Sequence, residues 1–248
     1  MNSTYGINGL IFWDEEEVQR RRDVLSFFDR NMRRIIRDIN PAVDIRECET
    51  PTMIPRSLLN TQYTDDDVWV LPDQFALRAE TTPGSYLYAR HLFDSQVSKP
   101  PLCVFQAGKS YRREDEHPQK FVRLKEFWQA EWQWVYTTDT GADYHSLILS
   151  PVMRMISDVV GLPTRLVPSD RLPSYSLITM DVEVAVDDRW MEVASISKRN
   201  DFPGTYIFSS AKGATEKNLL NVEVAIGLDR CVYCIKRRCE DAVGGSNS

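Results

Sequence analysis

The stretch from Tyr111 to Trp134, YRREDEHPQKFVRLKEFWQAEWQW, decides how this chain is read. Two arginine-bearing segments, Tyr111-Arg112-Arg113-Glu114 and Arg123-Leu124-Lys125-Glu126-Phe127, flank a polar connection from Asp115 to Lys120 that contains Pro118. Charges, one histidine and a proline suit an exposed turn better than a core. Downstream, Phe127, Gln129, Glu131 and Gln133 alternate with Trp128, Ala130, Trp132 and Trp134. A period of two predicts a strand. Polar residues on one face of an aromatic-rich strand are costly to bury unless that face meets a ligand or a polar network. The pattern predicts an antiparallel hairpin that presents arginines, carboxylates and an aromatic ring to something anionic and planar.

Working outward, the segment before the hairpin holds three recognisable units. From Glu15 to about Ile39, Leu25, Phe28, Met32, Ile35, Ile36 and Ile39 recur at three- and four-residue steps, which predicts a long amphipathic helix capped by Asp14 and stopped at Asn40-Pro41. Residues 43–49 then alternate as a strand, and residues 68–71 and 75–78 read as a strand pair around Pro72-Asp73. Glu80-Thr81-Thr82-Pro83-Gly84 reads as a turn that opens a helix over 85–93, and Leu102 to Ala107 as a short strand leading into the hairpin. After the hairpin, a helix over 144–160 ends at Gly161. Strands follow over 177–186, 190–197 and 222–226, then a turn at Gly227 and a last helix over 229–240. Residues 203–218 read as a Gly- and Ser-containing mobile segment, and 244–248 as a disordered tail behind a single domain over 1–243. Many strands with few helices between them predict an α+β fold, an antiparallel sheet flanked by helices.

Composition bounds the function classes. A 248-residue chain that is 42% hydrophobic and 27% charged is long enough for a substantial core, and its balance is that of a soluble globular protein. It has no apolar run near the roughly 20 residues of a membrane helix, and no basic-then-apolar N-terminal order of a signal peptide. The net charge of -6 argues against broad, nonspecific nucleic-acid binding while leaving room for a local RNA-binding surface. Five cysteines without an export signal point to a reduced, cytoplasmic setting. Cys231, Cys234 and Cys239 have a spacing that invites a zinc reading, but on a helix they only partly share a face.

Three separated segments together resemble the signature motifs of class II aminoacyl-tRNA synthetases. The end of the first helix, its following strand and Pro51 look like motif 1. Tyr111, Arg112, Arg113 and Glu114, followed by Arg123 and Phe127, resemble motif 2. Val222 to Arg230, ending in Gly227-Leu228-Asp229-Arg230, resembles motif 3. Within the class, the chain is similar to the catalytic core of homodimeric-type glycyl-tRNA synthetases, without their anticodon-binding domain. The residues that carry this likeness are Tyr5-Gly6 through Asp14, Leu77-Arg78-Ala79-Glu80-Thr81, Gly108 to Arg112, Arg123 to Glu131, Trp190-Met191-Glu192 and Arg199-Asn200-Asp201.

The resemblance implies a chemistry and assigns residues to it. Amino-acid activation brings a carboxylate onto the α-phosphate of ATP, so an arginine there offsets the repulsion of two anions. By resemblance Arg112 has that role, Phe127 stacks on adenine, Glu114 accepts from its amino group, and Arg123 and Arg230 hold the outer phosphates with Mg2+. Glu80, Glu131, Glu192 and Glu223 match the glutamates that the family uses around the amino acid's ammonium, and Arg78, in the same loop as Glu80, is a further candidate for binding the amino acid. Glu223 is also a candidate Mg2+ ligand. Ala225 stands where the family carries a serine, which leaves glycine or another small amino acid as the substrate. The implied partners are that amino acid, the acceptor end of tRNA and a second copy of the chain. Two other readings stay open: a synthetase paralogue that aminoacylates a different acceptor, and a non-catalytic nucleic-acid- or protein-binding module on the same fold.

Overall fold

The computed structural model describes residues 12–59, 63–113, 123–170, 176–199 and 218–244, with side chains as far as residue 240. The motif-2 connection including Glu114, the family-like opening before Phe12, residues 200–217 and the tail beyond Gly244 lie outside the described residues.

Helix α1 (Glu15–Ile39) begins as its sequence demands. The Asp14 carboxylate accepts from Glu17 N–H at 2.8 Å while Glu17 Oε2 accepts from Asp14 N–H at 3.1 Å, a reciprocal pair that satisfies two otherwise orphaned donors. Its buried stripe is Val24, Phe28, Met32, Ile35 and Ile36, with Leu25 at its margin. Strand β1 (Asp44–Glu47) follows, then β2 (Met53–Pro55), β3 (Val70–Leu71) and β4 (Phe75–Leu77). Helix α2 (Thr82–Asp94) leads to β5 (Leu102–Tyr111) and β6 (Glu126–Thr137), the two arms of the hairpin. Helix α3 (Tyr144–Val160) precedes β7 (Thr164–Pro168), β8 (Ser176–Val186), β9 (Arg189–Arg199) and β10 (Leu219–Gly227), and α4 (Leu228–Gly244) closes the described chain.

Seven strands form one sheet in the order β1-β5-β6-β10-β9-β8-β7, and β2-β4-β3 form a small second sheet. All pairs in the large sheet are antiparallel except β1 with β5, which run parallel. The antiparallel α+β architecture is therefore the observed one, with a single parallel edge. Strand β5 extends four residues beyond the expected 102–107, so both hairpin arms are long enough to cross the molecule. Strand β7 was not expected.

The alternation on β6 is translated into two different environments. Ala130, Trp132, Trp134 and Tyr136 face the main core under α1, α3 and α4, where Trp134 stacks on Tyr144 with centroids 4.4 Å apart and Trp132 on Phe105 at 4.8 Å. The opposite face carries the polar residues. Helix α2 covers one end of it with Tyr86, Ala89, Leu92 and Phe93 against Leu102, Val104, Val135 and Leu219. The rest of that face is the floor of the candidate site. Among the described residues, no helix is long and apolar enough to cross a membrane.

Candidate active site

Strand register builds the floor row by row. One row across five strands reads Gln106, Glu131, Ala225, Ser195 and Asp181. The next reads Val104, Gln133, Glu223, Ser197 and Thr179. Because successive side chains on a strand point to opposite faces, these residues share one surface although they are far apart in sequence.

Buried carboxylates dominate this surface. Glu131 Oε1 accepts from Gln129 Nε2 at 2.6 Å, and its Oε2 accepts from the hydroxyls of Thr81 and Thr82, the latter at 3.0 Å. Thr82 Oγ1 also lies 3.1 Å from Glu223 Oε2. One hydroxyl proton thus serves two carboxylates, and it can satisfy only one at a time. Glu223 Oε2 further accepts from Gln133 Nε2 at 2.8 Å and from Arg199, whose guanidinium is fully buried and ion-paired with it. Gln133 is held in turn by Asn221, and Asn221 donates to the Tyr86 hydroxyl at 2.7 Å. Glu80 is also buried, and its Oε1 has no hydrogen-bond partner among the described residues.

Electrostatics follow from this crowding. Burial pushes the Glu80 carboxyl up to about 7; Glu223 and Glu131 add to the rise, while Arg199 and Arg112 oppose it. Burial likewise raises Glu131, with the negative charge of Glu223 next and the two threonine hydroxyls counteracting. The negative charge of Glu223 helps to raise both Glu80 and Glu131, so a ligand that brought an ammonium would relieve the repulsion.

The arginines of the hairpin lie beside this cluster. Arg112 Nε donates to Ala79 O and its Nη2 to Tyr63 Oη, both at 3.4 Å, and its guanidinium carbon sits 5.2 Å from the Phe127 ring centroid. Tyr63 Oη in turn donates to Glu80 Oε2 at 3.3 Å. Arg123 is exposed at the start of the second arm. Arg230, on the first turn of α4, donates to Glu192 O at 2.8 Å and lies 3.7 Å from Glu192 Oε2. Glu192 is therefore paired with Arg230. Arg78 is held chiefly by backbone: its Nε donates to Lys109 O at 2.9 Å and its Nη1 to Thr50 O at 2.7 Å, with Thr50 Oγ1 at 3.2 Å, and its charge also interacts with that of Glu131. It ties the loop before α2 to β5.

Two further features hold the parts in register. A Cβ added at Gly84 would meet Thr50 Oγ1 at 2.1 Å, so only glycine lets the first turn of α2 carry Thr81 and Thr82 this close to the sheet. Asp229, buried beside Arg230, accepts from Trp128 N–H at 2.8 Å and from Arg21 at 3.3 Å, joining α4, β6 and α1; burial raises its carboxyl to about 6.

Sequence reasoning missed Arg199, Gln133, Thr82 and Tyr63 as members of the site. The alternation on β6 already put Gln133 on the face of Glu131, and Arg199 lay in a family-like segment, so both carried a signal. Thr82 and Tyr63 carried none that could be separated from turn chemistry.

The donor set around Glu223 does not suit a metal. Mg2+ asks for oxygen ligands in near-octahedral geometry, whereas Glu223 Oε2 already faces Arg199, Gln133 and Thr82. Among the described residues, no group of three or more His, Cys, Asp or Glu is arranged to hold a metal ion. Cys231 and Cys234 are buried and Cys239 is exposed, so the three thiols do not converge. Burial raises the first two well above the ordinary thiol range.

No protein-family model matches the chain. It is 29% identical over 176 residues to the glycine–tRNA ligase of Bifidobacterium longum (strain NCC 2705), a match covering 64% of this chain and 36% of that ligase. It is 28% identical over 170 residues to the glycine–tRNA ligase of Cutibacterium acnes, covering 62% and 36%. Each match thus spans little more than a third of the relative's length. Among solved structures, prolyl-tRNA synthetase from Cryptosporidium parvum complexed with halofuginone and AMPPNP superposes with a TM-score of 0.73 at 17% identity, covering 94% of this chain and 48% of that one. The same synthetase complexed with L-proline and AMP gives 0.71 at 16%. The fold is that of a class II aminoacyl-tRNA synthetase catalytic core.

Proposed function

We propose that this chain activates a small amino acid, glycine, with ATP to form the aminoacyl-adenylate, and passes the aminoacyl group to the acceptor end of tRNA. The observation that carries the reading is the junction at Arg112: a guanidinium at the root of the hairpin, 5.2 Å from the Phe127 ring centroid, linked through Tyr63 to the buried carboxylates that begin at Glu80. A site for an anionic, planar nucleotide thus adjoins a site for a cation. Support also comes from relatives named glycine–tRNA ligases and from structural neighbours solved with AMPPNP and AMP.

In this reading the amino acid's ammonium is held among Glu80, Glu131 and Glu223, with Arg199 fixing Glu223 beneath it. Its carboxylate oxygen attacks the α-phosphorus of ATP, the bond to the bridging oxygen breaks, and pyrophosphate leaves. Arg112 stabilises the charge that builds on the α-phosphoryl oxygens, a role worth several kcal/mol where a preformed donor meets developing charge. Phe127 stacks on adenine, with Glu114 on its amino group, and Arg123 and Arg230 hold the departing phosphates. Mg2+ would neutralise those phosphates as part of the bound nucleotide, and no step here depends on a protein ligand to it. Ala225 leaves the row between Glu131 and Ser195 without the family's hydroxyl; Ser195, its cross-strand neighbour, offers one a strand away. A homodimer in the cytoplasm completes the proposal.

Pyrophosphate exchange measured with each amino acid tests it. Glycine should drive exchange, and total tRNA should then be charged with glycine. Exchange with no amino acid would overturn the activation reading. Exchange without tRNA charging would overturn only the choice of acceptor.

A further inference from the structure

We propose that Tyr63 is a positioning residue that couples the nucleotide half of the site to the amino-acid half, so that each ligand tightens the other through one hydroxyl. The inference rests on the function proposed above and names a residue outside all three sequence motifs.

The geometry is a relay. Tyr63 Oη accepts from Arg112 Nη2 at 3.4 Å and donates to Glu80 Oε2 at 3.3 Å. A phenol has one proton and two acceptor lone pairs, so it can accept from Arg112, which cannot itself accept, while donating to an ionised Glu80. The Arg112 guanidinium carbon also lies 5.9 Å from the Tyr63 ring centroid, within reach of a cation–π contact. The far end of the residue is anchored. The Tyr63 carbonyl accepts from Arg56 Nη2 at 2.7 Å, Arg56 pairs with Asp65 at 2.9 Å, and the ring packs against the small cluster of Ile54, Leu59, Val68, Ala76 and Ala79.

Coupling follows from how hydrogen bonds in a chain polarise one another. An ammonium arriving beside Glu80 favours its ionised form, which is the stronger acceptor for the Tyr63 proton. The hydroxyl oxygen then becomes more electron-rich and holds the Arg112 guanidinium more firmly, oriented toward the phosphate. A nucleotide phosphate drawing on Arg112 acts back along the same relay, because linkage between two ligands is reciprocal.

Calorimetric titration of AMPPNP in magnesium buffer tests this, using the wild-type chain, Tyr63→Phe and Glu80→Gln, each with and without saturating glycine. For the wild type, glycine should tighten AMPPNP by about tenfold, within the usual range of such couplings. Tyr63→Phe removes only the hydroxyl; its affinity for AMPPNP alone should stay within about twofold of wild type, and the glycine effect should fall below about twofold. A Tyr63→Phe chain that keeps the full glycine effect overturns the inference, as does a wild type that binds AMPPNP with no glycine effect at all. A wild type that does not bind AMPPNP under either condition overturns the activation reading itself. Thermal melts report whether Tyr63→Phe is folded. If it is not, Glu80→Gln decides, titrated at glycine concentrations shown to saturate that variant: Gln still accepts from Tyr63 but cannot ionise, so the glycine effect on AMPPNP should fall below about twofold, and a full effect overturns the inference.

Discussion

Arg112 carries the sharpest expectation among single residues. It is half-buried and lies beside the buried carboxylates of the site, so truncating it should cost chemistry more than folding. Arg112→Ala should lower amino-acid-dependent pyrophosphate exchange by about 100- to 1000-fold, with little change in the melting temperature. An unchanged rate would refute its assigned role. Glu80 makes a prediction about stability. Its carboxyl titrates near 7 in the folded chain against an ordinary 4.5, so between those values the folded state binds the extra proton. Stability from this group is therefore fully present below about pH 4.5 and is lost as pH rises toward 7, by a total on the order of 3 kcal/mol. Glu80→Gln should flatten that part of the pH profile in urea unfolding; parallel curves for the two chains would contradict it. Asp229, raised to about 6, contributes with the same sign and remains in both chains. These environments were not legible beforehand. The sequence named Glu80, Glu131 and Glu223, but the hydroxyls and the guanidinium around them depend on which strands become neighbours.

At the scale of elements, the first turn of α2 is the most constrained piece. It has to bring Thr81 and Thr82 onto Glu131 while passing over Thr50. Gly84→Ala should destabilise the chain by about 1–3 kcal/mol through overpacking. Adding Thr50→Ala should recover part of that loss, since the two side chains compete for one space. Denaturant midpoints of the three variants would check this, and simple additivity would contradict it. Elements with strong local signals could be read directly: α1 from its apolar steps and Asp14 cap, β6 from its alternation, and the β8–β9 turn from Asp187-Asp188, whose φ angles of 50° and 57° match its tight hairpin. The parallel pairing of β1 with β5 joins segments nearly sixty residues apart, and no local pattern specifies it. The same holds for β7, whose five residues include a terminal proline and alternate weakly.

For the whole molecule, the matches cover about a third of each named ligase, so oligomeric state and acceptor are questions for the protein in solution. The class II fold was legible because three motifs fell in the right order with fitting helix and strand contexts, although each was weak alone. A homodimer is the expectation attached to motif 1. Sedimentation at micromolar concentration should give twice the 28.7 kDa chain mass, and a monomer would contradict it. The proposed activity of this core is to join an amino acid to AMP. Quenched reactions of the chain with ATP, Mg2+ and glycine, analysed by mass spectrometry, test it most directly. Glycyl-adenylate should accumulate at up to about one equivalent per chain, with matching pyrophosphate, and should vanish in Arg112→Ala. A folded wild-type chain that forms no adenylate with glycine or any other amino acid would rule that activity out.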